Sequence, residues 1–404
     1  MYIPLTKIYY EKPKQYEEIF HERQSSENSD HISFPYLADD VFFTYSKDVA
    51  LLLADIYKIN SNVKTLIQIL PNAAMEAFER KCLIDEIMQT NGIEGVRSTR
   101  KEITIALVEQ DKNKRFFGIV NKYLQLNVDI KIHSCEDIRK IYNDLVYTEI
   151  KNDNEASLPD GEFFRKEPVS VYSSTGKVIH KGITPELEII SAMEKALQLV
   201  NDDSVEKLIS ISIFHYLFAY IHPFYDGNGR TDRFISSYLL SKELNPLIGY
   251  RLSYTIKQNI KKYYSAFEIT NDKKSKGDLT YFVVSFLEII RDSMQNLYRA
   301  LDDRNTKLSF YGELVKQIVN DSYKSKIDKE KYGQLFYLLI QVELFSKDGI
   351  EKKDICYHLH MSNNTVSEML KTKPVSTLIK IDRKKRPYHY SIDLDKISEL
   401  ANQQ

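Results

Sequence analysis

The sequence predicts a mainly α-helical protein of more than one domain, with a single β-hairpin in its middle and a winged helix-turn-helix module at its end. Three observations predict it. Apolar residues recur at three- and four-residue spacing over most of the 404 residues. Glycines, prolines and short β-branched runs replace that pattern between 152 and 185. The segment from Tyr332 onward reads as three short helices followed by an alternating stretch around a basic turn. At this length, with 43% hydrophobic and 28% charged residues, the chain has apolar side chains for two or three cores.

Each element has a local reason. The first thirty or so residues are polar and end in "HERQSSENSDHIS", whose Ser, Asn and Asp compete with regular backbone pairing, so a loose arm or surface loop is expected. Helices are expected over 46–70 and 72–88, where pairs such as Phe78 with Cys82 and Leu83 with Ile87 share a face and Pro71 separates the two. "TNGIEG" interrupts, and "STRKEITIALVEQ" opens another helix with Ser98 or Thr99 as its cap. Strands over 169–172 and 177–180 pair across "SSTG". Helical spacing returns in "TPELEIISAMEKALQLV", "VEKLISISIFHYLFAYI" and 230–243, then in "IKQNIKKYYSAFEIT" and "LTYFVVSFLEIIRDSMQNLYRAL". In the final module "GQLFYLLIQVELF", "EKKDICYHLH" and "SNNTVSEMLKT" are the three helices, Ser362 caps the last, and "LIKIDRKKRPYHYSI" is the wing.

Charge and cysteine usage narrow the function classes. A formal net charge of -1 creates no global field for nucleic acid or membrane and leaves room only for a local basic patch. Cys82, Cys135 and Cys356 are far apart, which suits free thiols in a reducing compartment rather than a disulfide framework. Neither a signal core nor an uninterrupted apolar run of about 18 residues is present, so a cytoplasmic protein without a membrane span is expected. No residue pattern marks an oligomeric state.

The chemistry gathers in "IHPFYDGNGRTDR", residues 221–233. Pro223 ends the helix before it, and Gly227 and Gly229 let successive backbone N–H groups converge into an anion nest. The next helix aims its positive end at that nest. Arg230 and Arg233 share its first turn as planar donor forks for phosphate oxygens. Asp226 beside a polyphosphate site suits Mg²⁺, which takes one or two carboxylates and completes its shell with phosphate and water. His222 is the group able to accept a proton near neutral pH, and Phe224 packs inward to pin the loop. Taken singly, each of these residues reads as a cap or a surface ion pair; the set at this spacing reads as a site.

"HPFYDGNGR" resembles the signature of the Fic family, His-x-Phe-x-Asp/Glu-Gly-Asn-Gly/Lys-Arg, at every specified position, and Arg233 supplies the family's second arginine. The resemblance implies a fold that is mainly α, a helical Fic core over about 115–290 with a β-hairpin flap, plus the C-terminal winged helix over 332–404. Residues 1–114 then form an N-terminal helical region and 291–331 a helical linker. It implies transfer of AMP from ATP to a Ser, Thr or Tyr hydroxyl of a target protein, itself included, with Mg²⁺. His222 would deprotonate the hydroxyl, Asp226 would hold the metal, and Gly227, Asn228, Gly229 and Arg230 would cradle phosphate.

The same resemblance extends to three other segments. The hairpin over 169–181 stands where the family places a flap that holds the target by strand addition. "YYSAFEITN" is similar to the adenine-pocket segment and suggests Tyr263, Tyr264 and Asn271. "TNGIEG" satisfies the inhibitory pattern Ser/Thr-x-x-x-Glu-Gly/Asn through Thr90, Glu94 and Gly95, which implies that Glu94 pairs with Arg233 and removes a phosphate ligand. Gly92 within it softens the helical turn. Gly229, where phosphorylating relatives carry lysine, points to AMP transfer, and a glutamate of the inhibitory type also suits removal of AMP by water. The winged helix offers Asn363, Asn364 and Thr365 with "DRKKR" to DNA, or serves as a protein dock, in which case a regulator with a nucleotide-sensing core is the alternative function.

Overall fold

The computed structural model describes residues 2–112, 114–172, 178–346, 348–383, 385 and 387–402. They divide into two compact units: the chain up to Ser61 with Leu83–Gln295, and Asn62–Cys82 with the chain from Asn296 onward.

The first unit opens with two short helices, α1 (Leu5–Glu11) and α2 (Tyr16–Gln24), and an antiparallel pair, β1 (Ser29–Ile32) and β2 (Val41–Thr44). The expected loose arm is therefore ordered. Leu5, Ile8, Tyr16 and Phe20 close an apolar cluster with Phe42 from β2, and the Tyr2 hydroxyl donates to Asp278 at 2.6 Å. Helices of seven and nine residues contribute only two or three apolar side chains each, too few to register as a period.

Pro71 separates α3 (Lys47–Ile69) from α4 (Asn72–Ile93). Helix α4 does not break at "TNGIEG" but continues through Thr90, Asn91 and Gly92. Thr90 and Asn91 are fully buried, so tertiary packing outweighs their weak helix propensity. Gly95 takes φ +75° just beyond the end, the left-handed turn that stops a helix. Helix α5 (Arg100–Glu109) begins with a capping box: the Glu102 amide donates to Thr99 Oγ1 at 3.2 Å and the Thr99 amide donates to the Glu102 carboxylate at 2.8 Å, which makes Thr99 the cap rather than Ser98.

Helices α6 (Phe117–Leu124), α7 (Cys135–Tyr142) and α8 (Thr148–Asn154) follow, the last two joined by a π-helical turn over Asn143–Tyr147. Strands β3 (Ser170–Tyr172) and β4 (Val178–Lys181) pair antiparallel from Ser170 opposite Lys181; the turn "SSTG" and Lys177 lie outside the described residues. Helices α9 (Glu186–Val200), α10 (Lys207–Ile221) and α11 (Asn228–Glu243) pack in sequence, with α10 in contact with both others. Every residue of α10 from Leu208 to Phe218 is buried, as befits a helix apolar on all sides. Helices α12 (Leu252–Gln258), α13 (Ile260–Asn271) and the start of α14 (Thr280–Ser322) complete the unit.

The second unit contains the rest of α14, then α15 (Lys326–Phe345), β5 (Ile350–Glu351), α16 (Lys352–Leu359), α17 (Asn363–Met369), α18 (Val375–Leu378), β6 (Ile379–Asp382), β7 (His389–Ile392) and α19 (Leu394–Asn402). The Thr365 amide donates to Ser362 Oγ at 3.2 Å, the cap expected there. Strands β6 and β7 pair from Ile379 opposite Ile392, and β5 adds a short third strand on the other side of β7. Lys384 and Arg386 of the basic turn lie outside the described residues.

Candidate active site

The site grows from the junction of α10 and α11. Helix α10 ends at Ile221 because His222 adopts a left-handed backbone, φ +53° and ψ +61°, and Pro223 has no amide to continue the ladder. An L-residue there costs roughly 1–2 kcal/mol, the kind of local strain that clusters at functional positions. Phe224 is fully buried, stacked on Tyr142 with ring centroids 3.9 Å apart and edge-on to Phe164. It pins the loop as its apolar character predicts.

Asn228 fixes the loop from within. The Phe224 amide donates to its Oδ1 at 2.9 Å and its Nδ2 donates to the Phe224 carbonyl at 2.7 Å. Its side chain thus closes the loop on itself, while its backbone amide stands in the first turn of the next helix. Replacing it with alanine strands a buried N–H and a buried C=O, so Asn228→Ala is expected to lower unfolding free energy by about 2 kcal/mol in urea titration.

Gly227 stands before α11 at φ +81°, and the first amide bonded within the helix is that of Thr231, to the Gly227 carbonyl at 3.0 Å. Helix α11 therefore starts at Asn228, two residues before the sequence suggests. The amides of Asn228, Gly229 and Arg230 lie in the orphan first turn of a 16-residue helix, with its positive dipole end.

Both arginines are buried and occupied by carboxylates. Arg233 is 2% exposed; its Nε donates to Thr90 Oγ1 at 2.9 Å, one terminal nitrogen donates to the Thr90 carbonyl at 3.1 Å, and the other sits 2.8 Å from Glu94 Oε1. Thr90 and Glu94 thus meet Arg233 together, across 139 to 143 residues of sequence. Gly229 makes room for the contact: a Cβ there would lie 2.1 Å from Glu94 Oε1. Arg230, 1% exposed, donates to Glu149 Oε2 at 2.9 Å and lies 3.7 Å from Asp226 Oδ1. Glu149 comes from α8, just past the π turn, and was not legible in the sequence as part of the site. Burial raises its carboxyl above the ordinary range, opposed by the charge of Arg230.

His222 is held down to about 4 by burial first, then by His180 on β4 and by Arg165, with Glu94 opposing. Its imidazole is accordingly neutral at physiological pH. The linkage has a definite sign: the unfolded chain takes up the proton first, so this histidine contributes stability above about pH 6.5 that is lost as pH falls toward 4. Asp226 is 55% exposed at its side chain. One accessible carboxylate beside an anion nest fits Mg²⁺, whose remaining ligands come from phosphate and water. Among the described residues no group of three or more His, Cys, Asp or Glu is poised to hold a metal unaided.

The residues suggested for adenine recognition separate. Tyr263 is 5% exposed and its hydroxyl hydrogen-bonds His215 Nε2 at 2.8 Å, while His215 Nδ1 lies 2.8 Å from Ser236 Oγ and 3.1 Å from Asp232. It belongs to a buried polar network that ties α10, α11 and α13. Asn271 accepts from the Tyr216 hydroxyl at 2.6 Å. Tyr264 alone of the three is turned outward, 51% exposed.

The Fic/DOC family model matches residues 132–240, a span that contains the hairpin, α9, α10, the loop and most of α11. The protein adenylyltransferase Fic of Drosophila ananassae is 24% identical over 223 residues, covering 52% of this chain and 41% of the relative, and that of Drosophila melanogaster gives the same figures. The chain thus spans about two fifths of the length of these relatives. The crystal structure of a Fic family protein from Desulfovibrio desulfuricans G20 superposes with a TM-score of 0.53 at 18% identity, over 86% of this chain and 97% of that one. With the signature loop folded between two buried helices inside the span that the family model matches, the chain carries a Fic domain over residues 132–240.

Proposed function

We propose that this protein transfers AMP from ATP to a Ser, Thr or Tyr hydroxyl of a target protein, and that it rests in a self-inhibited state in which Glu94 occupies Arg233. The observation that carries the reading is the contact of Glu94 and Thr90 with Arg233 at the mouth of the α11 nest. The adenylyltransferase names of relatives support the class of reaction, and the geometry of the loop supports the roles proposed below.

The orphan amides of Asn228, Gly229 and Arg230 bind phosphate oxygens at the helix end. His222, kept neutral by desolvation and by the positive charge of His180 and Arg165, takes the proton of the incoming hydroxyl as that oxygen attacks the α-phosphorus and pyrophosphate leaves. Asp226 would hold Mg²⁺, which when bound offsets the negative charge of the phosphates. Tyr264 provides an exposed aromatic face within electrostatic reach of Glu94 and Arg233 for a base to lie against. In the resting state the Glu94 carboxylate neutralises Arg233 and repels phosphate, so nucleotide lacks one of its cationic contacts. The hairpin of β3 and β4 exposes Val178 and Ile179, 41% and 54% accessible, beside this loop as a strand edge for the segment bearing the hydroxyl.

The experiment is intact mass after incubation with ATP and Mg²⁺, for the parent, Glu94→Gly and Glu94→Gly/His222→Ala. Steps of one AMP on the single variant, few on the parent and none on the double variant support the reading; no nucleotide adduct on the protein or on co-incubated lysate proteins overturns it. The pH profile of the Glu94→Gly variant is expected to stay flat down to about pH 5 and to fall near 4, since His222 stays unprotonated that far. An acid limb at about 6.5 would assign the base elsewhere.

A second reading rests on the other unit. Helix α17 exposes Asn363 and Asn364, and Arg383 is exposed at the wing, an arrangement that suits a winged helix reading DNA. A regulator whose Fic core senses nucleotide would then show a salt-dependent mobility shift with duplex DNA that responds to ATP. Absence of a shift at low salt removes this reading.

A further inference from the structure

Arg165 lies in "FFRKEP", outside the signature loop, and is completely buried. Among the described residues it pairs with no carboxylate. Instead its guanidinium is divided among three backbone carbonyls: Nε donates to His222 at 3.0 Å, one terminal nitrogen to Glu167 at 2.6 Å and the other to Ile183 at 2.7 Å. Its own amide donates to the Pro223 carbonyl at 3.1 Å. The side chain thereby fastens three segments at one point: its own approach to β3, the exit of β4, and the end of α10. Two further bonds close the same junction, Gly182 N–H to Val169 at 3.0 Å and Ile183 N–H to Ile221 at 3.1 Å.

A buried cation without a counter-ion is costly, and a hydrophobic side chain of like volume would ordinarily serve stability as well or better. Its retention calls for a use that only a planar fork of donors can meet. That use is legible in the acceptors. His222 has the strained left-handed backbone, and the carbonyl that fixes its peptide plane is the one that Arg165 Nε holds. Gly182 is packed against both residues: a Cβ there would lie 2.4 Å from an Arg165 terminal nitrogen and 3.0 Å from the His222 Cβ.

We propose that Arg165 is a positioning residue for the general base: it locks the His222 peptide in place and couples it to the base of the β3–β4 hairpin, so that the imidazole and the strand edge keep a fixed spacing. This rests on His222 being the base of the proposed reaction. The guanidinium also adds positive charge beside the imidazole. The charged and titratable groups facing His222 are His180 from β4 and Arg165, which disfavour its protonation, and Glu94 after α4, which favours it.

The test uses the full chain in the Glu94→Gly background with Arg165→Met, Arg165→Lys and Gly182→Ala, each checked for thermal unfolding. Arg165→Met is expected to lower kcat for AMP transfer by about 10²-fold, the cost of misplacing a reacting group by an ångström, with KM for ATP unchanged. Arg165→Lys keeps the charge but not the fork, and is expected to regain only part of that loss. In parallel, the His222 C2 proton, assigned by its loss in His222→Ala, is followed by NMR titration; its midpoint moves up by about one unit in Arg165→Met and less in Arg165→Lys. A purely structural arginine would lower the unfolding temperature and leave kcat per folded molecule unchanged, which overturns the proposal. So does a loss confined to KM. Should Arg165→Met fail to fold, Gly182→Ala presses on the same junction with the charge retained, and a kcat within twofold of its parent overturns the proposal. If no variant of any kind, the Glu94→Gly parent included, forms an AMP adduct, the transfer reading falls and this proposal falls with it; an adduct on that parent with kcat unchanged in Arg165→Met overturns the proposal alone.

Discussion

Glu94→Gly is expected to raise AMP transfer by about 5- to 150-fold, the range of a 1–3 kcal/mol coupling between an inhibitory contact and an active site. The contact has the features such a coupling needs. Its carboxylate is 2.8 Å from a guanidinium that is otherwise buried, and two further donors of that guanidinium are already taken by Thr90. Glu94 itself is a third exposed, so it can leave without dismantling a core. Glycine after Ile93 also continues a chain that already turns left-handed at Gly95. The check is the rate of AMP incorporation from labelled ATP, at saturating nucleotide, for the parent and the variant. A rate equal to the parent's, with ATP binding unchanged by calorimetry, would mean that Glu94 restrains nothing.

His222→Ala in the same background is expected to cost about 10²- to 10⁴-fold in kcat while the affinity for ATP stays within a factor of a few. The imidazole is half-buried at a helix end that Arg165, Pro223 and Ile183 hold, and the nest proposed for phosphate is built from backbone amides of α11. Removing the ring leaves that nest intact. The same separation predicts that the variant still protects against thermal unfolding when ATP is added, a binding readout free of turnover. Equal loss of binding and rate would instead place His222 among the nucleotide contacts.

Much of this site could be read from thirteen consecutive residues, because a helix stop, two glycines and a helix start are local events with local signals. Glu94 could be read as well, since its pattern with Thr90 and Gly95 is short. What stayed hidden depends on partners far away in the chain. Arg165 reads as one more charge in a polar loop; its burial follows from three carbonyls, two of them 18 and 57 residues distant, and carbonyls carry no residue identity. Glu149 sits in "YTEIKNDNE", where an acidic residue looks solvated, and only the π turn before α8 rotates it inward toward Arg230. The sequence points Tyr263 toward the nucleotide, whereas its hydroxyl meets His215, since the spacing of two adjacent tyrosines cannot say which one faces the core. The N-terminal helices were missed for their brevity, and the π turn and β5 for theirs.

Gly229 gives this arrangement a consequence for how the protein can vary. The hydrogen in place of its side chain is what leaves room for the Glu94 carboxylate against α11, and the same bare backbone lies in the first turn that would meet phosphate. Under the proposed function, the restraint therefore has two footholds rather than one. A larger residue at 229 would press the Glu94 carboxylate away from Arg233, so the contact can be undone from α11 as well as from Glu94 and the turn that carries it.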